Sequence, residues 1–374
     1  MTMDPNQPNE NEMSEATCPV YDYDYDDSKP MNIAIQGGGA HGAFAWGILD
    51  KILEDARIDI EGICATSAGS MNAVAMAYGR MQGGYEGARQ LLDTFWKKIS
   101  EVGAIFSPVK SAPWNTNGDS WNQDFNPGFA LFETMTRLLS PYQFNPMNFN
   151  PLRNIVEEVI DFDVLRRCPR TKLYISTTKV RTGKVRVFQT SEISLDVVLA
   201  SACLPYLFQA VEINGEYYWD GGYMGNPALF PLLYHTESRD VLIVHINPMI
   251  REELPTTSMD IMNRLNEITF NSSLLKEMRE IALATKMFEE GWIKDEHKSE
   301  IKHMLLHSIR ADEKLKELSV ASKFNTDWKF LTHLKELGRK AAQEWLDTHF
   351  EKVGEESTID LRGQFQDLGV DHVG

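Results

Sequence analysis

The sequence predicts an α/β fold: a largely parallel central sheet wrapped by helices, followed by a helical C-terminal region. Three observations predict it. Two strand–turn–helix patterns stand in immediate succession, Asn32–Gln36 into Ala43–Glu54 and Ile58–Ala65 into Met71–Tyr78; strands that alternate with helices pair in parallel. Val241–Ile246 is a continuous apolar run but for one histidine, as a strand covered on both faces requires. Beyond Pro248 the apolar residues Ile261, Leu265, Ile268, Leu275, Met278 and Phe288 recur at near-helical spacing.

Taken in order, residues 1–30 are polar, acidic and proline-bearing, and Tyr21, Tyr23 and Tyr25 alternate there with aspartates. Such a segment is expected to stay solvated rather than pack. In the first helix Phe44, Ile48, Leu49 and Ile52 share one face. Residues 101–150 interleave Pro108, Pro113, Pro127, Pro141 and Pro146 with many aromatics. Little regular structure is expected in this insertion, which is either a lid lining a pocket or a segment whose aromatics pack on the core. From Thr171 the pattern is β-rich: Lys172–Ser176 and Val185–Gln189 flank a turn, Ser194–Cys203 reads as helix, and Asn214-Gly215 marks a hairpin. The returning strand, Glu216–Trp219, delivers Asp220 and two glycines. Ser258 is the expected N-cap of the long helical region. A last helix around Asp327–Lys352 carries Leu331, Leu334, Trp345 and Phe350. Acids are as frequent as bases beside these stripes, so they read as core rather than membrane-binding faces.

The totals set bounds on function. A chain of 374 residues accommodates one large α/β unit, here 31–310, with a helical extension over 311–374. A net charge of −17 disfavours nucleic acid and anionic membrane surfaces as non-specific partners. Four widely spaced cysteines, Cys18, Cys64, Cys168 and Cys203, argue against a disulfide framework or a cysteine zinc site and for a reducing compartment. With no basic, apolar leader pattern and no apolar stretch long enough to span a bilayer, the expected location is cytoplasmic.

The first candidate site is the glycine loop Gly37, Gly38, Gly39, Ala40, His41 and Gly42. A glycine-rich turn from strand to helix collects free backbone N–H groups and so holds an anion, either a bound phosphate or a charge present only during reaction. The loop satisfies G-x-G-x-x-G, and Asp59 or Glu61 stands near the place of a ribose-binding acid, so a nucleotide-binding oxidoreductase is one reading. The second turn, Ala65-Thr66-Ser67-Ala68-Gly69, has the small-x-Ser-x-Gly pattern of a nucleophile elbow, whose sharp bend projects the serine Oγ outward. A nucleophilic serine needs a proton acceptor and a hole for the oxyanion. Asp220, beside Gly221 and Gly222, is the candidate acceptor, and the loop amides at Gly38, Gly39 and Ala40 are the candidate hole. A free aspartate, with a pKa of about 3.9, is a weak base, so this site is expected to be desolvated.

Together the glycine loop, the Ser67 elbow, Ala200–Pro205 and Asp220-Gly221-Gly222 with Asn226-Pro227 resemble the patatin-like phospholipase family, over about Asn32 to Pro231. The resemblance implies a patatin-like three-layer α/β/α sandwich and a serine–aspartate dyad of lipid acyl hydrolases, acting through an acyl-enzyme without cofactor or metal. It implies Ser67 as nucleophile, Asp220 as base and Gly37 to Gly39 as the oxyanion loop, with Ala40 and Gly42 completing it. Ala65 and Gly69 would shape the elbow. The implied partner is a phospholipid or other acyl ester, met through transient contact with a membrane surface; nothing implies an oligomeric state. Two departures from the family stand out. Ala65 replaces the usual glycine, and His41 stands where a cation is usual, acting either as a protonated cation or as a neutral brace.

Rival readings remain. The order Ser67, Asp220, His245 also suits an α/β-hydrolase triad, although an apolar run is the setting of a core histidine. His303 and His307 lack the glutamate of H-E-x-x-H, so zinc is not expected. A patatin fold that binds but no longer catalyses is the third.

Overall fold

The computed structural model describes residues 28–109, 127–167, 170–294, 302–310, 312–315, 318–361 and 363. The expectations for residues 1–27, for 110–126 within the insertion and for the final residues 364–374 lie outside these.

The chain opens with β1 (Lys29–Ile35), α1 (Gly42–Asp55), β2 (Ile58–Ala65) and α2 (Ala68–Phe106). Helices α3 (Pro127–Leu138), α4 (Pro141–Phe144), α5 (Pro151–Val159) and α6 (Phe162–Arg167) lead to β3 (Lys172–Lys179) and β4 (Val185–Gln189). Then come α7 (Leu195–Ser201), the hairpin β5 (Val211–Ile213) and β6 (Glu216–Asp220), α8 (Phe230–His235) and β7 (Asp240–Val244). The long α9 (Ser258–Glu289), β8 (Leu305–Ile309), α10 (Asp312–Leu315) and α11 (Trp328–His349) complete it.

The eight strands form one sheet. Its centre, β3-β2-β1-β7-β8, is parallel throughout, while β4, β5 and β6 join antiparallel. Successive strand residues face opposite sides, and the burial follows. Ile33, Ile35 and Ile63 join a core with Phe44, Trp46 and Ile48 of α1 and Phe330, Leu331 and Leu334 of α11. Ala34, Cys64, Val241 and Ile243 join a second core with Leu274, Met278 and Ile281 of α9. The result is the three-layer α/β/α sandwich, with α11 built into one layer.

Several elements differ from the expectation for physical reasons. α2 does not stop at Tyr78; it continues to Phe106 through a kink at Gly83 and Gly84, because Leu92, Phe95, Trp96 and Ile99 have core to cover. The insertion holds helices, and two of its prolines, Pro127 and Pro141, sit where helices begin and the missing N–H costs no bond. The cap of α9 is Thr257, whose Oγ1 accepts the Asp260 N–H at 3.1 Å, rather than Ser258. β8 was hidden because His307 and Ser308 interrupt its apolar run, so His303 and His307 do not share a helix face. The Asn214-Gly215 hairpin is present, both residues at positive φ as a two-residue type I′ turn requires.

Candidate active site

Two neighbouring parallel strands end together, Ile35 of β1 opposite Ala65 of β2, so the loops that follow them emerge side by side. Ligand sites of parallel sheets form at these carboxyl ends. Ser67 stands two residues past Ala65 at φ +54° and ψ −124°, outside the ordinary regions for a side-chain-bearing residue. The bend is held from three sides. The Ser67 N–H donates to Ser201 Oγ (2.9 Å), and that hydroxyl donates to the Ser176 carbonyl (2.8 Å). Thr66 Oγ1 donates to the Gly225 carbonyl (2.7 Å), and the Gly69 N–H closes the turn on Thr66 (2.8 Å). Ser67 is half-buried, so its hydroxyl is reachable.

The glycine loop lies against this bend. A Cβ on Gly37 would stand 2.6 Å from the Ser67 Cβ, so only glycine lets the loop approach the serine this closely. Gly39 has φ +58°, a left-handed conformation natural to glycine. Ala40 lies in the short 3-10 turn Gly39–His41, and Gly42 starts α1. Gly37 gives its N–H to Asn226 Oδ1 (2.7 Å), so its part in the loop is steric. The open donors are Gly38, Gly39 and Ala40, whose N–H groups meet no acceptor among the described residues.

Asp220 reaches the same place by another route. β2 and β4 pair with overlapping stretches of β3, so they hold opposite edges, and β6 takes over the β2 edge just where β2 ends. Asp220 is opposite Thr177, two residues beyond the Ile175 that faces Ala65. Its backbone is pinned by the Cys203 carbonyl (2.8 Å) and by Thr178 Oγ1 (2.8 Å). The side chain is 1% exposed; Oδ1 accepts the Gly222 N–H (2.7 Å). Burial pushes its pKa up to about 7, against the opposing pull of the Gly222 N–H, the Ser67 hydroxyl and the Lys323 charge. Ser67 is thus near enough to favour the carboxylate, yet Oδ2 completes no well-directed hydrogen bond among the described residues.

A buried amide network, invisible to motif reading, backs the loop. Gln36 Oε1 accepts the Ile246 and Asn247 N–H groups (2.9 and 3.0 Å), and its Nε2 donates to Asn271 Oδ1 (2.8 Å). Asn226 Nδ2 donates to the Phe270 carbonyl (3.0 Å). Buried Gln and Asn at the ends of apolar strands were the available signal, since such groups persist only when paired.

The histidines sort clearly. Ser322 Oγ donates to the Ser319 carbonyl (2.7 Å), so it accepts from His41 Nε2 (2.7 Å). Burial and nearby Lys323 hold the His41 pKa well below its usual value, which favours the neutral brace over the cation. His245 is buried and pulled down to about 3 by burial and Arg310, and neither ring nitrogen is hydrogen-bonded among the described residues. Asp59 and Glu61 face away from the loop's chemistry: Asp59 pairs with Arg80, and Glu61 accepts from Glu237, Ser238 and Lys172. Among the described residues, no group of three or more His, Cys, Asp or Glu could hold a metal. A separate cleft of about 860 Å³, lined by Phe230, Tyr234, Glu277, Ile281 and Lys302, contains none of these candidate residues.

A family model described as Patatin-like phospholipase matches residues 33–233. Among solved structures, VipD from Legionella pneumophila is similar at 13% identity and TM-score 0.39, covering 90% of this chain and 72% of that one. The type III effector ExoU is similar at 13% identity and TM-score 0.31, over 85% and 53% of the respective chains. The SpcU–ExoU complex from the type III secretion system of Pseudomonas aeruginosa gives 14% identity and TM-score 0.28, over 84% and 54%. This chain spans about half the length of those two. No curated protein matches it.

Proposed function

Because this chain belongs to the patatin-like phospholipase family, and is thereby a lipid acyl hydrolase, we propose that it cleaves lipid esters with a Ser67–Asp220 dyad, through an acyl-enzyme. The observation that carries the reading is the convergence of a strained serine, a desolvated aspartate and a loop with three open N–H donors at one end of the sheet. Ser67 Oγ attacks the ester carbonyl while its proton passes to Asp220 Oδ2. The carbonyl oxygen takes the negative charge and is held by the Gly38 and Gly39 N–H groups. Collapse of this intermediate expels the alcohol, which takes the proton from Asp220. Water then attacks the acyl-serine, gives its proton to Asp220, and a second collapse releases the fatty acid and restores Ser67.

An aspartate with a pKa of about 7 suits the base role at neutral pH. A histidine triad is disfavoured by His245, whose pKa burial and the Arg310 charge hold far below neutrality. The substrate class we infer is phospholipid or lysophospholipid. Contact with a lipid surface is supported by α3, which exposes Leu131 (74%) and Leu138 (77%). A cytoplasmic site of action fits the cysteine usage. Lipid products released from mixed membranes, wild type against Ser67→Ala, test the reading. Free fatty acid from the wild type alone is expected; equal release by the variant refutes it.

A further inference from the structure

Behind the glycine loop stands an ammonium that the chemistry above leaves unused. Lys323 lies on the short 3-10 turn Ala321–Phe324, which runs beneath the loop; its main-chain oxygen is 2.5 Å from where a Cβ on Gly39 would sit. Lys323 Nζ donates to Oδ1 of Asn247 (2.9 Å) and of Asn266 (2.8 Å), and lies 5.4 Å from the centre of the Phe270 ring. Both acceptors are neutral amides. The charged or titratable groups facing it are His41 of the loop, Asp220 at the end of β6 and Glu267 of α9. Glu267 is itself paired with Arg251 and Arg264.

Asn247 passes the contact on. Its Nδ2 donates to the Gly37 carbonyl oxygen (2.9 Å). That carbonyl and the Gly38 N–H belong to one trans peptide plane and point in opposite directions. A donor on the carbonyl therefore fixes where the Gly38 N–H points. Hydrogen bonds in series also polarise one another. A positive charge on the Asn247 oxygen strengthens its N–H, which draws density from the Gly37 carbonyl, and the Gly38 N–H becomes the better donor.

We propose that Lys323 is a positioning residue of the oxyanion site, aiming and strengthening the Gly38 N–H through Asn247 and the Gly37–Gly38 peptide. The proposal rests on the reading of Ser67 as nucleophile and Gly38 as oxyanion donor. Burial lowers the Lys323 pKa to about 8, against the raising effect of Glu267 and Asp220. The relay weakens as the ammonium deprotonates above that pH, while Asp220, near 7, sets the acid side.

The test is kcat and KM for a soluble short-chain ester from about pH 5 to 10, with thermal unfolding, for the full chain and its Lys323→Met, Lys323→Arg and Ser67→Ala variants. Wild-type kcat is expected to fall above about pH 8. Lys323→Met should lose about 10- to 100-fold in kcat, with KM little changed and the alkaline fall gone. Lys323→Arg, charged throughout, should regain most of kcat and move the alkaline fall beyond about pH 10. Wild-type kcat that stays flat to the alkaline end overturns the proposal, as does wild-type kcat in Lys323→Met or an unmoved alkaline fall in either variant. If Lys323→Met does not fold, the wild-type and Lys323→Arg profiles decide alone. An active Ser67→Ala removes the hydrolytic premise instead, a result distinguishable from any failure of Lys323.

Discussion

Asp220 is held where an aspartate is least comfortable as an anion, 1% exposed, and in the proposed dyad this burial links activity to instability. Its pKa is about 7 in the fold and near 3.8 in an unfolded chain. Between those values the folded state keeps a proton that the unfolded state has lost, so stability falls as pH rises through the window. Asp220→Asn removes the penalty. It should cut kcat by about 10²–10⁴-fold, yet raise stability at pH 8 by up to ~4 kcal/mol, with little gain at pH 4. Urea unfolding at the two pH values checks it. At Asn226 the expectation is different, because its carboxamide takes the buried Gly37 N–H and bonds the Phe270 carbonyl. Asn226→Ala should lower stability by about 1–3 kcal/mol, read as a lower denaturant midpoint. Ser67, Asp220 and the loop glycines, which the fold brings together, could be picked out as candidates in the sequence because each sits in a short local pattern. Lys323, Asn247 and Gln36 were not: they meet only in three dimensions, across more than two hundred residues between Gln36 and Asn247.

Among the elements, α11 has the clearest energetic role. Phe330, Leu331 and Leu334 are fully buried against α1, and Trp328 stands 6.0 Å from Trp46. Leu334→Ala should therefore cost about 2–5 kcal/mol in a denaturant titration, more than an appended helix would show. α3 packs through one face and leaves the other exposed. Phe129 and Phe132 pack on Phe324, next to Lys323, while Leu131 and Leu138 face outward. Changing both outward leucines to serine should slow hydrolysis of vesicle lipid several-fold and leave a soluble ester untouched, since only apolar insertion is lost. Periodicity marked the parallel strands, the hairpin and α11, whose residues answer to local spacing. It did not mark β8, whose His307 pairs with Asp240 (2.9 Å) inside the sheet, nor the second half of α2, which resumes beyond a non-helical break at Gly83 and Gly84.

Over the whole molecule, the site is assembled from segments that span most of the chain. The family match ends at residue 233, yet β7 and β8 complete the sheet, and Asn247, Asn271 and Lys323 back the loop from beyond it. The net charge of −17 opposes electrostatic binding to anionic lipid, so the lipid contact proposed above would be apolar. No described helix is long and apolar enough to cross one. The central claim is that Ser67 becomes covalently acylated. Labelling the full chain with an alkyl fluorophosphonate and mapping the adduct by peptide mass spectrometry tests it most directly: one adduct on the peptide containing Ser67, absent in Ser67→Ala and strongly slowed in Asp220→Asn, is the predicted result, and an adduct on another residue, or equal labelling of Ser67→Ala, would contradict it.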